Sequence, residues 1–298
     1  MRVPVREVDP EQPVGVSRCR DDAGVLGGGA GERLLAEDGE PARERPLRLL
    51  AVDLSYRFIN GVAQLRDLVL SGELGDVFAA DLVFHNAYGP DKAWFYDPAL
   101  SGGGCVIDLG VHLVDLALWT LGFPRVVGVT SRLYAQGVPV LGDVERGRRD
   151  VAEDYAVARL DLETGASVEL ACSWRLSAGR DAVIGAAFYG TNGGAAFHNV
   201  NGSFYDFTVE HYRGTSRETL SAPPDDWGGR AAVDWAKRLA AGERFDVSAV
   251  HLVDVAEALD SIYEGREWGV GSRESRVLEA SRGPVESPLP TAHSPAVR

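Results

Sequence analysis

Ser101-Gly102-Gly103-Gly104-Cys105-Val106-Ile107-Asp108-Leu109-Gly110-Val111-His112-Leu113-Val114-Asp115 is the stretch on which the reading of this chain turns. Three successive glycines let a backbone turn tightly and approach another group closely. The residues after them carry helical periodicity through Ile107, Val111, Val114 and Leu118, which marks one face as apolar. Asp108 and His112 are four apart, so on an α-helix they lie one turn above each other, and Asp115 continues that face. A carboxylate beside an imidazole raises the imidazole pKa and fixes its tautomer, as a proton donor or acceptor near neutral pH requires. The same pair also occurs as an ordinary surface hydrogen bond, so spacing alone leaves both readings open. A metal site is not expected: two or three ligands on one helix rarely close one, and no second segment offers a His or Cys partner.

Outward from this helix, the chain alternates between strand and helix patterns. Leu49-Leu50-Ala51-Val52-Asp53-Leu54 is a short apolar run of the kind a buried parallel strand gives. Residues 62–69 follow at helical spacing and end near Gly72. Strand-like runs then cover residues 77–85, 126–133, 155–162, 167–174 and 182–189, the third with a clear period of two. Two further helices read from 230 to 241 and from 248 to 264, the second with Ser248 as N-cap. The expected fold class is α+β. It is an open, mainly antiparallel β-sheet with helices on one face, preceded by a single terminal strand of parallel type.

Composition bounds the partners. The chain has 298 residues, 45% hydrophobic and 25% charged, enough for a packed core in one or two domains. Its 30 Lys and Arg against 44 Asp and Glu give a formal charge of −14, which repels phosphate backbones, so no nucleic acid is expected. Lys92 and Lys237 are the only lysines. Cys19, Cys105 and Cys172 are odd in number and far apart, as suits a reducing cytosol. No run approaches eighteen consecutive apolar residues and the N-terminus lacks an apolar core, so a cytoplasmic protein without membrane attachment is expected. Residues 1–48 contain no aromatic residue and no isoleucine, and too little apolar area to offset ordering. Disorder is therefore expected there and in the polar tail over 271–298.

The string Gly102-Gly103-Gly104, Asp108, Gly110, His112 and Asp115 resembles the GGG-x-x-x-D-x-G-x-H-x-x-D signature of the glucose-fructose oxidoreductase, inositol dehydrogenase and MocA (Gfo/Idh/MocA) family. Other pieces fall in the family's order: Tyr56-Arg57-Phe58, Gly72-Glu73-Leu74-Gly75, Trp94-Phe95, Glu153-Asp154-Tyr155, Gly165-Ala166, Ser173-Trp174 and Gly190-Thr191-Asn192-Gly193. The resemblance runs from about Leu49 to Trp268. It implies a Rossmann domain followed by a substrate and dimerisation domain, with 49–54 as the last Rossmann strand and 55–270 as the second domain. It implies hydride transfer between NAD or NADP and a sugar, cyclitol or related hydroxy or keto compound, and a homodimer or larger assembly through the open sheet face. His112 would be the proton donor or acceptor, Asp108 would orient it or contact substrate, and for Asp115 a structural part is an equal alternative. Arg57, Lys92, Trp94 and Tyr96 would face the substrate, with a packing role the competing reading for each.

The first 48 residues depart from that pattern. A βαβ unit takes roughly 30 residues, so the strands preceding a last Rossmann strand need more chain than this. Gly27-Gly28-Gly29-Ala30-Gly31-Glu32 imitates a dinucleotide loop but places Glu32 where the third glycine belongs. Glu44-Arg45-Pro46 imitates the family's Glu-Lys-Pro, with arginine for the active-site lysine. The expectation is an oxidoreductase impaired in NAD(P) binding when this chain acts alone. The competing expectations are a non-catalytic dimerising or sugar-binding remnant, and a misread gene start in which residues 1–48 come from the wrong frame.

Overall fold

A computed structural model describes Leu49 and residues 51–140, 151–244 and 246–265. The expectations for residues 1–48 and for the tail over 271–298 fall outside these residues.

Nine strands form one sheet: β1 (Val77–Asn86), β2 (Val126–Ala135), β3 (Val138–Pro139), β4 (Tyr155–Leu162), β5 (Ser167–Ser173), β6 (Ala182–Gly190), β7 (Gly194–Asn199), β8 (Phe207–Arg213) and β9 (Ser216–Ser221). Their order is β3-β2-β4-β5-β1-β6-β7-β8-β9. Every pair is antiparallel except β1 with β5, which run parallel in register from Ala79↔Ser167 to His85↔Ser173. The α+β expectation of a mainly antiparallel sheet holds. One face is apolar because alternate residues share a face: Ala80, Leu82 and Phe84 of β1 and Val168, Leu170 and Cys172 of β5 are buried.

The helices are α1 (Val62–Leu70), the single turn α2 (Pro98–Ser101), α3 (Val111–Thr120), α4 (Arg230–Ala240) and α5 (His251–Glu264), of which α1, α3 and α5 pack on the sheet. α3 packs on β1 and β5 with α5 beside it, and α5 also packs on β2. α1 ends where expected, with Gly72 at φ +78° just beyond it, a conformation that costs glycine little. By length and composition the run Pro98–Thr120 is apolar enough to cross a membrane. In this fold Leu113, Leu116 and Leu118 are instead packed into the core.

Three sequence expectations change. Ala51–Leu54 lie in no strand, because a strand exists only through a ladder partner and none of the described residues supplies one. The last helix begins at His251, after a 3₁₀ turn over Val247–Val250, and Asp246 rather than Ser248 is the cap, its side chain accepting from the Ser248 N–H. Most consequentially, the helix after the glycines opens as a π-turn over Val106–Gly110 before α3 continues it.

Candidate active site

The glycine run is shaped by what lies against it. Gly102 sits at φ +82° and ends α2, its N–H bonding the Pro98 carbonyl at 3.0 Å. A Cβ on Gly103 would stand 2.0 Å from the Tyr263 hydroxyl, and one on Gly104 would stand 1.9 Å from the Glu153 carbonyl oxygen. Such separations are far inside van der Waals contact: at Gly104 the obstacle is backbone, which excludes a side chain, and at Gly103 the Tyr263 ring would have to move. The Ser101 hydroxyl, buried behind them, donates to the Gly103 carbonyl at 2.6 Å.

Beside the run opens a cleft of about 210 Å³ lined by Trp94, Phe95, Ser101, Gly103, Gly104, Ile107, Asp108, Val111 and His112. Trp94 and Phe95 come from a 3₁₀ turn over Ala93–Tyr96 and stack on each other with ring centroids 3.9 Å apart. The π-turn delivers Asp108 and Ile107, and the first turn of α3 delivers Val111 and His112. Stacked aromatic rings, a carboxyl and an imidazole in one small concavity suit a compact polyhydroxylated ligand with C–H faces to cover and hydroxyls to bond. A larger open depression of about 560 Å³, between Asp181, Asn201–Asp206 and Pro223, holds none of these residues.

The expected hydrogen bond between Asp108 and His112 does not form. Asp108 Oδ2 instead accepts from Trp174 Nε1 at 2.9 Å. His112 Nδ1 is buried without a hydrogen-bond partner among the described residues. The physical reason is the π-turn: its i→i+5 bonding widens the turn, so four residues no longer bring side chains onto one face. The expected rise in the His112 pKa is reversed accordingly. Burial lowers it, and the charge that opposes this is Asp53, not Asp108. Burial pushes the Asp108 carboxyl up, and the Trp174 indole N–H pulls it back.

Among the remaining sequence candidates, only Trp94 joins His112 and Asp108 in the cleft. Arg57 is engaged in an ion pair with Asp115, Nε donating at 2.8 Å and a terminal nitrogen to the other oxygen, and its guanidinium lies over Trp119 and Phe123. Lys92 is exposed and lies 3.3 Å from Asp91. The Tyr96 hydroxyl donates to the Pro90 carbonyl at 2.9 Å and accepts from Arg175 at 2.9 Å. Sequence reasoning missed Trp174 and Glu153 as parts of the site. Glu153 is fully buried, and its carboxylate accepts from Gly104 and Val106. Their signal lay only in the resemblance, which carried Glu153-Asp154-Tyr155 and Ser173-Trp174 without assigning them a role.

The residues described here do not fit a whole dinucleotide. A pyrophosphate needs a nest of backbone N–H groups or a helix N-terminus, but Glu153 occupies the N–H groups of Gly104 and Val106. The cleft's lining has no Lys or Arg, and its volume lies below the roughly 300–1,000 Å³ of drug-sized sites.

Comparison with known proteins bears on the family and the fold. The family model described as the GFO/IDH/MocA C-terminal domain matches residues 62–196. A D-glucoside 3-dehydrogenase of Escherichia coli (strain K12) is 29% identical over 153 residues, which are 50% of this chain and 44% of that protein. The fold is also that of an aldose-aldose oxidoreductase from Caulobacter crescentus, solved with glycerol, at TM-score 0.57 and 20% identity over 74% of this chain and 63% of that one. A 3-ketoreductase from Actinomadura kijaniata, solved with NADP, gives TM-score 0.57 and 18% identity over 73% of this chain and 62% of that one. The chain thus spans under half the length of the curated relative and under two thirds of these solved structures. Signature and family match converge on one stretch: residues 62–196 match the GFO/IDH/MocA C-terminal domain, and the sheet built on them has the fold of these solved oxidoreductases.

Proposed function

We propose that this chain supplies the substrate-side and dimerisation domain of an NAD(P)-dependent oxidoreductase acting on a sugar, cyclitol or related hydroxy or keto compound. On its own it binds NAD(P) weakly and turns over little. The observation that carries the reading is the His112 imidazole, lowered in pKa by burial and with Nδ1 unpartnered among the described residues, at the edge of a cleft of about 210 Å³. A neutral imidazole accepts a proton from a hydroxyl near neutral pH and returns it to a carbonyl oxygen in the reverse direction. Asp108, fixed by Trp174, is placed to accept from a second hydroxyl. Trp94 offers a ring face to the C–H surface of the same ligand.

Weak cofactor binding follows from the lack of GxGxxG and of Glu-Lys-Pro in residues 1–48 and from the poor fit of the described residues to a dinucleotide. The assembly is a cytoplasmic homodimer, with the outer face of the sheet as contact surface. There Val83, Val157, Ala171, Val183 and Ala187 lie half-buried on adjacent strands, with no helix over them among the described residues.

Two titrations test this reading. Calorimetry with NAD(H) and NADP(H) is expected to show no micromolar binding, and a micromolar constant overturns the weak-binding claim. Ligand-observed NMR with a panel of monosaccharides and cyclitols is expected to show binding that weakens at least tenfold in His112→Ala. Equal binding by that variant favours a sugar-binding protein in which His112 has no chemical part.

A further inference from the structure

Glu153, just before β4, is fully buried and meets three consecutive N–H groups at the head of the π-turn. Its Oε2 accepts from Gly104 at 2.9 Å, its backbone carbonyl from Cys105 at 2.9 Å and its Oε1 from Val106 at 3.0 Å. The Tyr263 hydroxyl, on α5, donates to the same Oε1 at 2.8 Å. The opening N–H groups of a helix have no partner in the preceding turn and take one from elsewhere. Here a single residue, 47–49 positions away along the chain, takes three in succession.

The other end of this helical run is fastened separately. Asp115 in α3 is 1% exposed and tied to Arg57, and the apolar side chains of α3 interlock with the sheet and with α5. Between the two anchors the chain has one residue more than a regular α-helix accommodates, and a π-turn is how a helix absorbs such an excess. The wider turn swings Asp108 off the His112 face toward Trp174.

We propose that Glu153 is a positioning residue: by clamping residues 104–106 it imposes the π-turn that keeps Asp108 from pairing with His112, so that both line the cleft without bonding each other. If the clamp loosens, residues 104–110 relax toward α-helical spacing, and the Asp108 carboxylate comes onto the face of His112. The groups around His112 in the present arrangement are Asp53, ahead of the 3₁₀ turn Ser55–Phe58, the Tyr56 ring of that turn at 5.4 Å between centroids, and, in the same cleft lining but turned to Trp174, Asp108 on the π-turn. Of these, Asp108 is the one that the π-turn places.

The proposal rests on the functional reading only for its consequence, since the test reads His112 in the purified chain whether or not it acts on a sugar. Glu153→Gln keeps the size but replaces one acceptor oxygen with an NH₂, which faces either the Gly104 or the Val106 N–H and cannot accept from it. The side-chain nitrogen resonances of His112, assigned by their loss in His112→Gln, give its pKa by NMR titration. The expected result is a rise of about 1 unit in Glu153→Gln, the size an approaching carboxylate produces, and no rise in the double variant Glu153→Gln/Asp108→Asn. A folded Glu153→Gln with His112 titrating as in the parent overturns the proposal, as does a rise that survives in the double variant. Should Glu153→Gln fail to fold, Tyr263→Phe removes one donor to Oε1 and keeps the ring. A smaller rise there supports the clamp, and an unmoved value overturns it.

Discussion

Asp108 and Asp115 ride the same helical run but sit in opposite electrostatic company. Asp115, on α3, is 1% exposed and meets a guanidinium through two hydrogen bonds. Burial pushes its carboxyl up and Arg57 pulls it down. Asp108, on the π-turn, is half-buried and meets only a neutral indole N–H. Asp115 is therefore fully paired: each acid oxygen has its donor and the ionic partner is fixed over Trp119 and Phe123. The cleft end keeps unused polar capacity, in a carboxyl with room for another donor and an imidazole nitrogen with no partner among the described residues. That asymmetry favours the cleft end as the place where a ligand bonds, because the Asp108 carboxyl there keeps an acceptor oxygen beyond the one that takes the Trp174 N–H.

The strongest way to break the comparison is at Asp115. Arg57→Ala leaves the Asp115 charge buried without a counterion, which costs about 3–5 kcal/mol. Urea denaturation of the two proteins checks this. A loss under about 1 kcal/mol would mean that Asp115 is protonated or hydrated, and the contrast between the two acids would fall. Gly104→Ala comes next. Its Cβ would stand 1.9 Å from the Glu153 carbonyl oxygen, and overpacking of this kind costs roughly 1–3 kcal/mol, or more where backbone must move. Thermal unfolding is expected to show the loss, together with weakened ligand binding in the cleft. Trp174→Phe is milder. It removes the indole N–H that donates to Asp108 while keeping an aromatic ring, with an expected cost of about 1–2 kcal/mol.

The same contrast explains what a reader of the sequence sees and misses. β4 is legible because Tyr155, Val157, Arg159 and Asp161 alternate with the buried Ala156, Ala158, Leu160 and Leu162. β7, Gly194–Asn199, is buried on both faces and made of Gly, Ala, Phe, His and Asn, so it carries neither alternation nor β-branched residues. β9 is an exposed polar edge, Ser-Arg-Glu-Thr-Leu-Ser, with no apolar signal. The parallel pairing of Ala79 with Ser167 joins strands far apart in sequence, beyond what local pattern encodes. At the site, the helix and its two polar residues are legible, but their relation is not: spacing of four implies one face only if the turn is α, and the cause of the π-turn lies at Glu153, far along the chain. Long-range hydrogen bonds decide such local geometry, and a periodicity argument has no access to them.

The smallest expected effect concerns His112 itself and sharpens the open end of the comparison. Burial lowers its folded pKa from the 6.5 of a free imidazole. Between the folded value and 6.5, the unfolded chain holds the proton and the native imidazole does not. The unfolded state thus binds more protons in that window, and unfolding free energy rises with pH across it. Above 6.5 both states are neutral and the contribution is constant. His85, whose pKa burial also lowers, adds a background of the same sign, so the informative quantity is the difference between the parent and His112→Gln. That difference is expected to be flat above pH 6.5 and to move against the parent as pH falls below it. Urea unfolding at a series of pH values measures it. A flat difference throughout would mean that His112 is as well solvated as a surface histidine, and a movement favouring the parent at low pH would mean that a carboxylate already pairs with it.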